Sequence, residues 1–172
     1  MILADETLFE GKFLRVCKRG RWEYVERVNA RGAVVIVAQT EAGKVLLVEQ
    51  YRAPMDASVI EFPAGLVGDI AGDEDEAFEL AAARELEEET GFRARDFAFL
   101  TQGPPSAGLS SEMTWWVRAI DPERVGEGGG DDSEAISVHE VSPEGIEDWL
   151  RSRQDKGVLI DPKVFAGLYF LA

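Results

Sequence analysis

Apolar and polar positions along the chain fall into short blocks whose periods predict strands and helices in alternation. Before Gly32, FLRV and WEYVERV read as the strands of an N-terminal hairpin bracketed by KRGR. GAVVIVAQT and KVLLVEQYR are β-rich runs joined by EAG, which predicts a hairpin in the sheet core. SVIEFPAGLV ends in a turn, because Pro63 and Gly65 interrupt regular structure. From Asp75 to Thr90 the pattern is that of the longest helix, with Gly91 placed to end it. DFAFLTQ and EMTWWVRAI read as strands on either side of the loop GPPSAGLSS. ERVGEGGGDDSE (123–134) follows, and its glycines predict a mobile loop rather than a packed turn. A strand, AISVHEV, then leads to the helix PEGIEDWLRSRQ and a short apolar helix, KVFAGLYFLA. With no repeat and no linker, the expected fold is a single α/β domain over 1–172, a mixed sheet covered by helices.

Composition narrows the function. At 172 residues, with 45% hydrophobic and 9% aromatic residues, the chain can bury a substantial core. Its longest apolar runs are too short to span a bilayer, and MILADETLFEGK lacks the basic and apolar regions of a signal peptide, so no membrane role and a cytoplasmic location are expected. The single Cys17 excludes an internal disulfide and, with His139 as the one histidine, a Cys/His zinc cluster. Cys17 reads as an inert thiol and His139 as a strand residue. A net charge of −15 argues against nucleic acid as the partner, since binding a polyanion relies on Lys and Arg. Catalysis, if any, must rest on carboxylates, metal and a few cations.

Those carboxylates concentrate in RELEEETGF (84–92). At helical spacing Glu85, Glu88 and Glu89 share a face while Glu87 points roughly the other way. The stripe runs back onto Ala81 and Ala82, too small to cover the acids, which suggests open space beside them. Convergent carboxylates of this kind suit a hard divalent cation such as Mg²⁺. On spacing alone a solvated Glu-rich face is the favoured reading, because charge patterning is a weak signal of function.

Context resolves the choice. Glu76, followed by Arg84-Glu85-Leu86, Glu88-Glu89 and Gly91-Phe92, resembles the signature of the Nudix hydrolases. Gly65 precedes Glu76 by eleven positions, farther than in the family pattern, so LVGDIAGDED contains an insertion. VEQYR (48–52), EFPAG (61–65) and WEYVER (22–27) are similar to the ADP-ribose and nucleoside-diphosphate-sugar pyrophosphatase branch. That resemblance implies an α-β-α sandwich with a mixed β-sheet between helices. It also implies a homodimer in which residues 1–30, the N-terminal hairpin, take part and complete the nucleoside pocket of the partner.

The implied chemistry is Mg²⁺-dependent (or Mn²⁺-dependent) hydrolysis of the diphosphate of a nucleoside diphosphate sugar. By resemblance, Glu85 and Glu89 are metal ligands, Glu88 is a ligand or bridging group with a catalytic role, and the carbonyl of Ala64 is a further ligand. Arg84 is structural, pairing with Glu76 or another acid. The general base is Glu134, with Glu112 as the competing candidate and Asp132 third. Arg27 and Arg52 are candidates for the diphosphate or terminal ribose, because guanidinium forks match phosphate oxygens. Phe13 and Trp22 fall where relatives stack adenine. Ser106-Ala107-Gly108 stands in place of the branch's Ser-Pro-Gly, which leaves other sugar nucleotides open as substrates. A silent Nudix-fold nucleotide sensor is the alternative of another class; the intact acids count against it.

Overall fold

The computed structural model describes residues 5–70, 72, 74–130 and 135–171. Strands β1 (Asp5–Glu10), β2 (Leu14–Arg19) and β3 (Trp22–Arg27) form an antiparallel sheet in that order. The expected N-terminal hairpin is therefore present as β2 and β3. Gly20, at φ 63°, sits in its two-residue turn between the paired Arg19 and Trp22. The strand β1 was not legible in the sequence: all six of its residues are exposed, so no alternation of buried positions marks it.

The central layer begins with β4 (Gly32–Val37), β5 (Val45–Arg52), β6 (Ala57–Glu61) and β7 (Ala64–Val67). Helix α1 (Phe78–Thr90) follows, then β8 (Phe92–Arg93), β9 (Asp96–Gly103), β10 (Thr114–Ile120), β11 (Glu123–Arg124) and β12 (Ser137–Val141). Helix α2 (Ile146–Gln154), β13 (Leu159–Ile160) and α3 (Pro162–Tyr169) complete the chain. Two four-stranded mixed sheets result, ordered β7-β4-β10-β9 and β12-β5-β6-β13, with β10 parallel to β4 and β13 parallel to β6.

The expected β4–β5 hairpin does not form. Thr40 and Lys44 close a tight turn, but only Gln39 bridges Val45 before the strands part into different sheets. The reason lies in the residues: positions 33–37 of β4 and 45–48 of β5 are all apolar and need cover on two faces. Val34, Ile36 and Leu46 pack with Ala81, Ala82 and Leu86 of α1. Their neighbours Val35, Val37, Val45 and Leu47 pack with Ile146 and Leu150 of α2 and Val164 of α3. This is the anticipated sandwich, helices on both faces of a mixed β layer. Among the described residues no helix is long and apolar enough to cross a membrane.

The described part of the glycine-rich segment, 123–130, also departs from expectation, for it is packed. The amides of Gly129 and Gly130 donate to the carbonyls of Glu89 and Glu88 (2.9 and 3.0 Å), and Val125 and Gly126 donate to Gly91 (2.8 and 3.0 Å). A Cβ on Gly128 would stand 2.4 Å from the carbonyl carbon of Thr90, and one on Gly91 2.3 Å from the oxygen of Gly126. The glycines allow two backbones to touch, and the segment caps the carbonyl end of α1.

Candidate active site

Helix α1 starts later than its sequence suggests. Ala77 is its N-cap, with no side-chain cap, and Glu76 is instead turned inward and buried, accepting from the amide of Gly68 at 3.2 Å. Its carbonyl accepts from Arg31 at 3.3 Å. Glu76 thus fastens the inserted loop to the foot of the helix. At the other end Gly91 adopts the left-handed conformation (φ 71°) and its amide bonds to Glu87.

The four acids of RELEEETGF have four environments. Glu89 is 4% exposed and accepts from the amide of Ala64 at 3.0 Å, tying α1 to β7. Glu85, with its side chain 14% exposed, lies against the β7 turn and accepts from Arg84 at 2.7 Å. Glu88 is half exposed and 3.5 Å from Arg84. Glu87 faces away but is not simply solvated: Arg93 grips both its oxygens, at 2.8 and 2.9 Å, and holds its carboxyl below the usual range. Ala81 and Ala82 are fully buried in the core, so the open space lies beside the sheet end and not along the helix.

Gly65 makes the arrangement of Glu85 possible. A Cβ there would stand 1.9 Å from the carboxyl carbon of Glu85. Burial pushes the Glu85 carboxyl up to about 7; Arg84 opposes this, and Glu88 and Asp69 add to it. Arg84 is shared among acids, lying 3.6 Å from Asp69 and 3.7 Å from Glu76. Its Nε is buried without a hydrogen-bond partner among the described residues.

Strand ends gather the remaining groups. Arg27 at the end of β3, Arg52 at the end of β5, Ala64 and Gly65 on β7, and Glu85 and Glu89 on α1 line one cleft of about 400 Å³ together with Glu112. Within it Arg27 pairs with Glu112, and Arg52 donates to Glu61 at 2.7 Å. Sequence reasoning missed Glu61, Asp69, Thr114 and Lys163, which also line it. For Glu61 a signal existed, since it stands directly before Phe62-Pro63 at a strand end. Lys163 comes from α3 and is joined to the site only by tertiary packing.

Other expected residues lie elsewhere. Glu88 is on the helix but does not line the cleft. Phe13 (63% exposed) and Trp22 (58%) do not line it within one chain; Trp22 borders a separate cavity with Tyr24, Gly108 and Ser110. Glu134 and Asp132 lie outside the described residues. His139 is a strand residue whose ring lies 3.0 Å from Glu49 and packs on the edge of Trp149. Cys17 is a buried free thiol raised by its burial.

Among the described residues, no three acids close around one point tightly enough to hold a cation as they stand. The donor chemistry nevertheless fits a hard divalent ion: every acid at hand offers carboxylate oxygen, and Gly65 leaves Glu85 the room that a Cβ would fill.

Comparison with known proteins agrees with this geometry. The NUDIX domain family matches residues 28–160, so the chain belongs to the Nudix hydrolases. It is 31% identical to an ADP-ribose pyrophosphatase of Bacillus subtilis, over 88% of this chain and 83% of that protein. A methanol dehydrogenase activator of Bacillus methanolicus is 27% identical over 97% of this chain and 90% of its own. The solved structure of an ADP compounds hydrolase has a TM-score of 0.69 at 25% identity, covering 88% of this chain and 82% of that one. The resemblance is to the ADP-ribose pyrophosphatase branch of the family.

Proposed function

We propose that the protein hydrolyses the diphosphate bond of ADP-ribose or a related nucleoside diphosphate sugar, giving a nucleoside monophosphate and a sugar phosphate. The observation that carries this is the cleft itself: Arg27 and Arg52 line it together with Glu85 and Glu89 of α1 and the β7 turn. Arg27 and Arg52 bind the diphosphate oxygens, exchanging Glu112 and Glu61 for phosphate. The oxygen of a water bonds to one phosphorus, the bond from that phosphorus to the bridging oxygen breaks, and the bridging oxygen leaves with the other phosphate. The two protons of the water pass to the product monophosphates and the buffer.

Glu85, Glu88, Glu89 and the carbonyl of Ala64 are the groups that would hold Mg²⁺ or Mn²⁺. When bound, such an ion neutralises diphosphate charge and acidifies a water. Arg84 can release Glu85 by closing on Glu76, already 3.7 Å away. Glu134 serves as the general base. One fact supports it: the segment leading to Glu134 is anchored through Gly129 and Gly130 to the carbonyls of Glu89 and Glu88. Phe13 and Trp22 stack the base from the partner of a homodimer; their exposure, with that of Leu8 and Phe9, leaves the N-terminal sheet an apolar surface to cover.

The test is release of monophosphate from ADP-ribose, ADP-glucose, GDP-mannose, UDP-glucose and nucleoside triphosphates with Mg²⁺. Turnover of none of them, with tight nucleotide binding retained, would replace the enzyme by a nucleotide sensor. The shared engagement of Arg84 by Glu85 and Glu88 is the one feature in that reading's favour.

A further inference from the structure

The cleft does not end at Thr114. Pro105, Thr114 and Lys163 line both it and a second cavity of about 540 Å³ between the end of β9, β10 and α3. That cavity is mostly carbon. Trp116 and Phe170, with ring centroids 6.2 Å apart, line it together with Pro104, Ala166 and Tyr169, the last 77% exposed. The indole N–H of Trp116 is already used, donating to the hydroxyl of Thr114 at 3.2 Å. That hydroxyl in turn donates to the carbonyl of Gly103 at 3.0 Å. The amine of Lys163 is likewise held, by Asp161.

A sugar carries hydroxyls around its ring and would lose hydrogen bonds to water here without replacing them, whereas a planar heteroaromatic ring exchanges water for aromatic and proline surface. The loop between β9 and β10 borders both spaces: Pro104 and Pro105 line the apolar cavity, and Pro105 and Glu112 line the cleft. A ring in the apolar cavity and a diphosphate in the cleft are thereby neighbours.

Taking the cleft as the diphosphate site, we propose that the Trp116–Phe170 cavity is a subsite for a second planar ring. The protein would then prefer diphosphates that carry a nucleoside-like ring at each end over those ending in a bare sugar. The reaction is the same hydrolysis: one P–O bond to the bridging oxygen breaks, one forms from water, and two monophosphates leave.

NADH, with a ring at either end, and ADP-ribose, with one, are the probes. Two positions can plug the cavity without disturbing the acids. Gly103 has no atom within 4 Å of where a Cβ would stand, and Ala166 is exposed on α3. Gly103→Leu and Ala166→Trp should each lower kcat/KM for NADH by about tenfold or more, mainly through KM, while ADP-ribose changes by less than about twofold. Thermal midpoints near wild type confirm that the variants fold. Equal loss on both substrates, no loss on NADH in either variant, or cleavage of ADP-ribose with no NADH turnover or binding, overturns the subsite. If neither compound is cleaved, calorimetric titration of NAD⁺ into the protein separates the failures. Binding that Ala166→Trp weakens keeps the subsite and removes the hydrolase reading; no binding removes the subsite.

Discussion

Gly65 and Glu85 are in contact so close that only a hydrogen fits between them: a Cβ on Gly65 would lie 1.9 Å from the Glu85 carboxyl carbon and 2.0 Å from its oxygen. The glycine of the turn and the first acid of the helix box are thus one unit. Gly65→Ala must push the end of a flexible side chain aside, which costs little stability. It misplaces a ligand, and turnover should fall on the order of a hundredfold. Steady-state kinetics alongside a urea titration checks this; unchanged kcat would mean that the position of Glu85 is irrelevant.

Glu89→Gln and Glu88→Gln should each reduce kcat by about a thousandfold, about 4 kcal/mol of barrier, because a neutral amide is a poor ligand for a hard cation. Glu87→Gln is the control: it loses its exposed pair with Arg93, and turnover should stay at the wild-type level. A similar loss in all three would point to helix damage in place of metal binding.

Glu85 gives the metal-free protein a pH dependence. Its folded carboxyl titrates near 7 against 4.5 in the unfolded chain. Between those values the folded state keeps a proton that the unfolded state has released, so this group's contribution to stability falls as pH rises through the window. Denaturation midpoints without divalent ions, taken at pH 5 and pH 8 for wild type and Glu85→Gln, isolate the effect. The variant should be favoured over wild type at the higher pH, and the reverse order contradicts the buried, protonated acid. Mg²⁺ should bind more tightly as pH rises through the same range, since it competes with that proton.

The contact of Gly128 with the end of α1 predicts a structural cost. Gly128→Ala places a Cβ 2.4 Å from backbone at φ 71°, and should destabilise by about 2 kcal/mol or more. It should also lower kcat, because the chain toward Glu134 starts from this contact. A urea midpoint within error of wild type would show that the segment is loosely held.

Replacing Glu134 by Gln should lower kcat by about a hundredfold or more with KM little changed, the mark of a general base. Wild-type kcat would move the role to Glu112, testable by the same substitution there.

The sequence by itself determined the elements and the acids. Strand and helix follow from local periodicity and turn residues, so α1, α2, α3 and the strands β9, β10 and β12 were legible, as was the family from the resemblance of Glu76, Arg84, Glu85, Glu88, Glu89 and Gly91 to its signature. Tertiary structure alone decided who meets whom. The apolar runs of β4 and β5 could not reveal that they part into two sheets, because that choice depends on β10 and the helices competing for them. The glycines at 126–130 look mobile until a second backbone lies against them. Arg84, drawn among Glu85, Glu88, Asp69 and Glu76, and Lys163, brought from α3 to the cleft, are placed by long-range packing, on which local pattern carries no information.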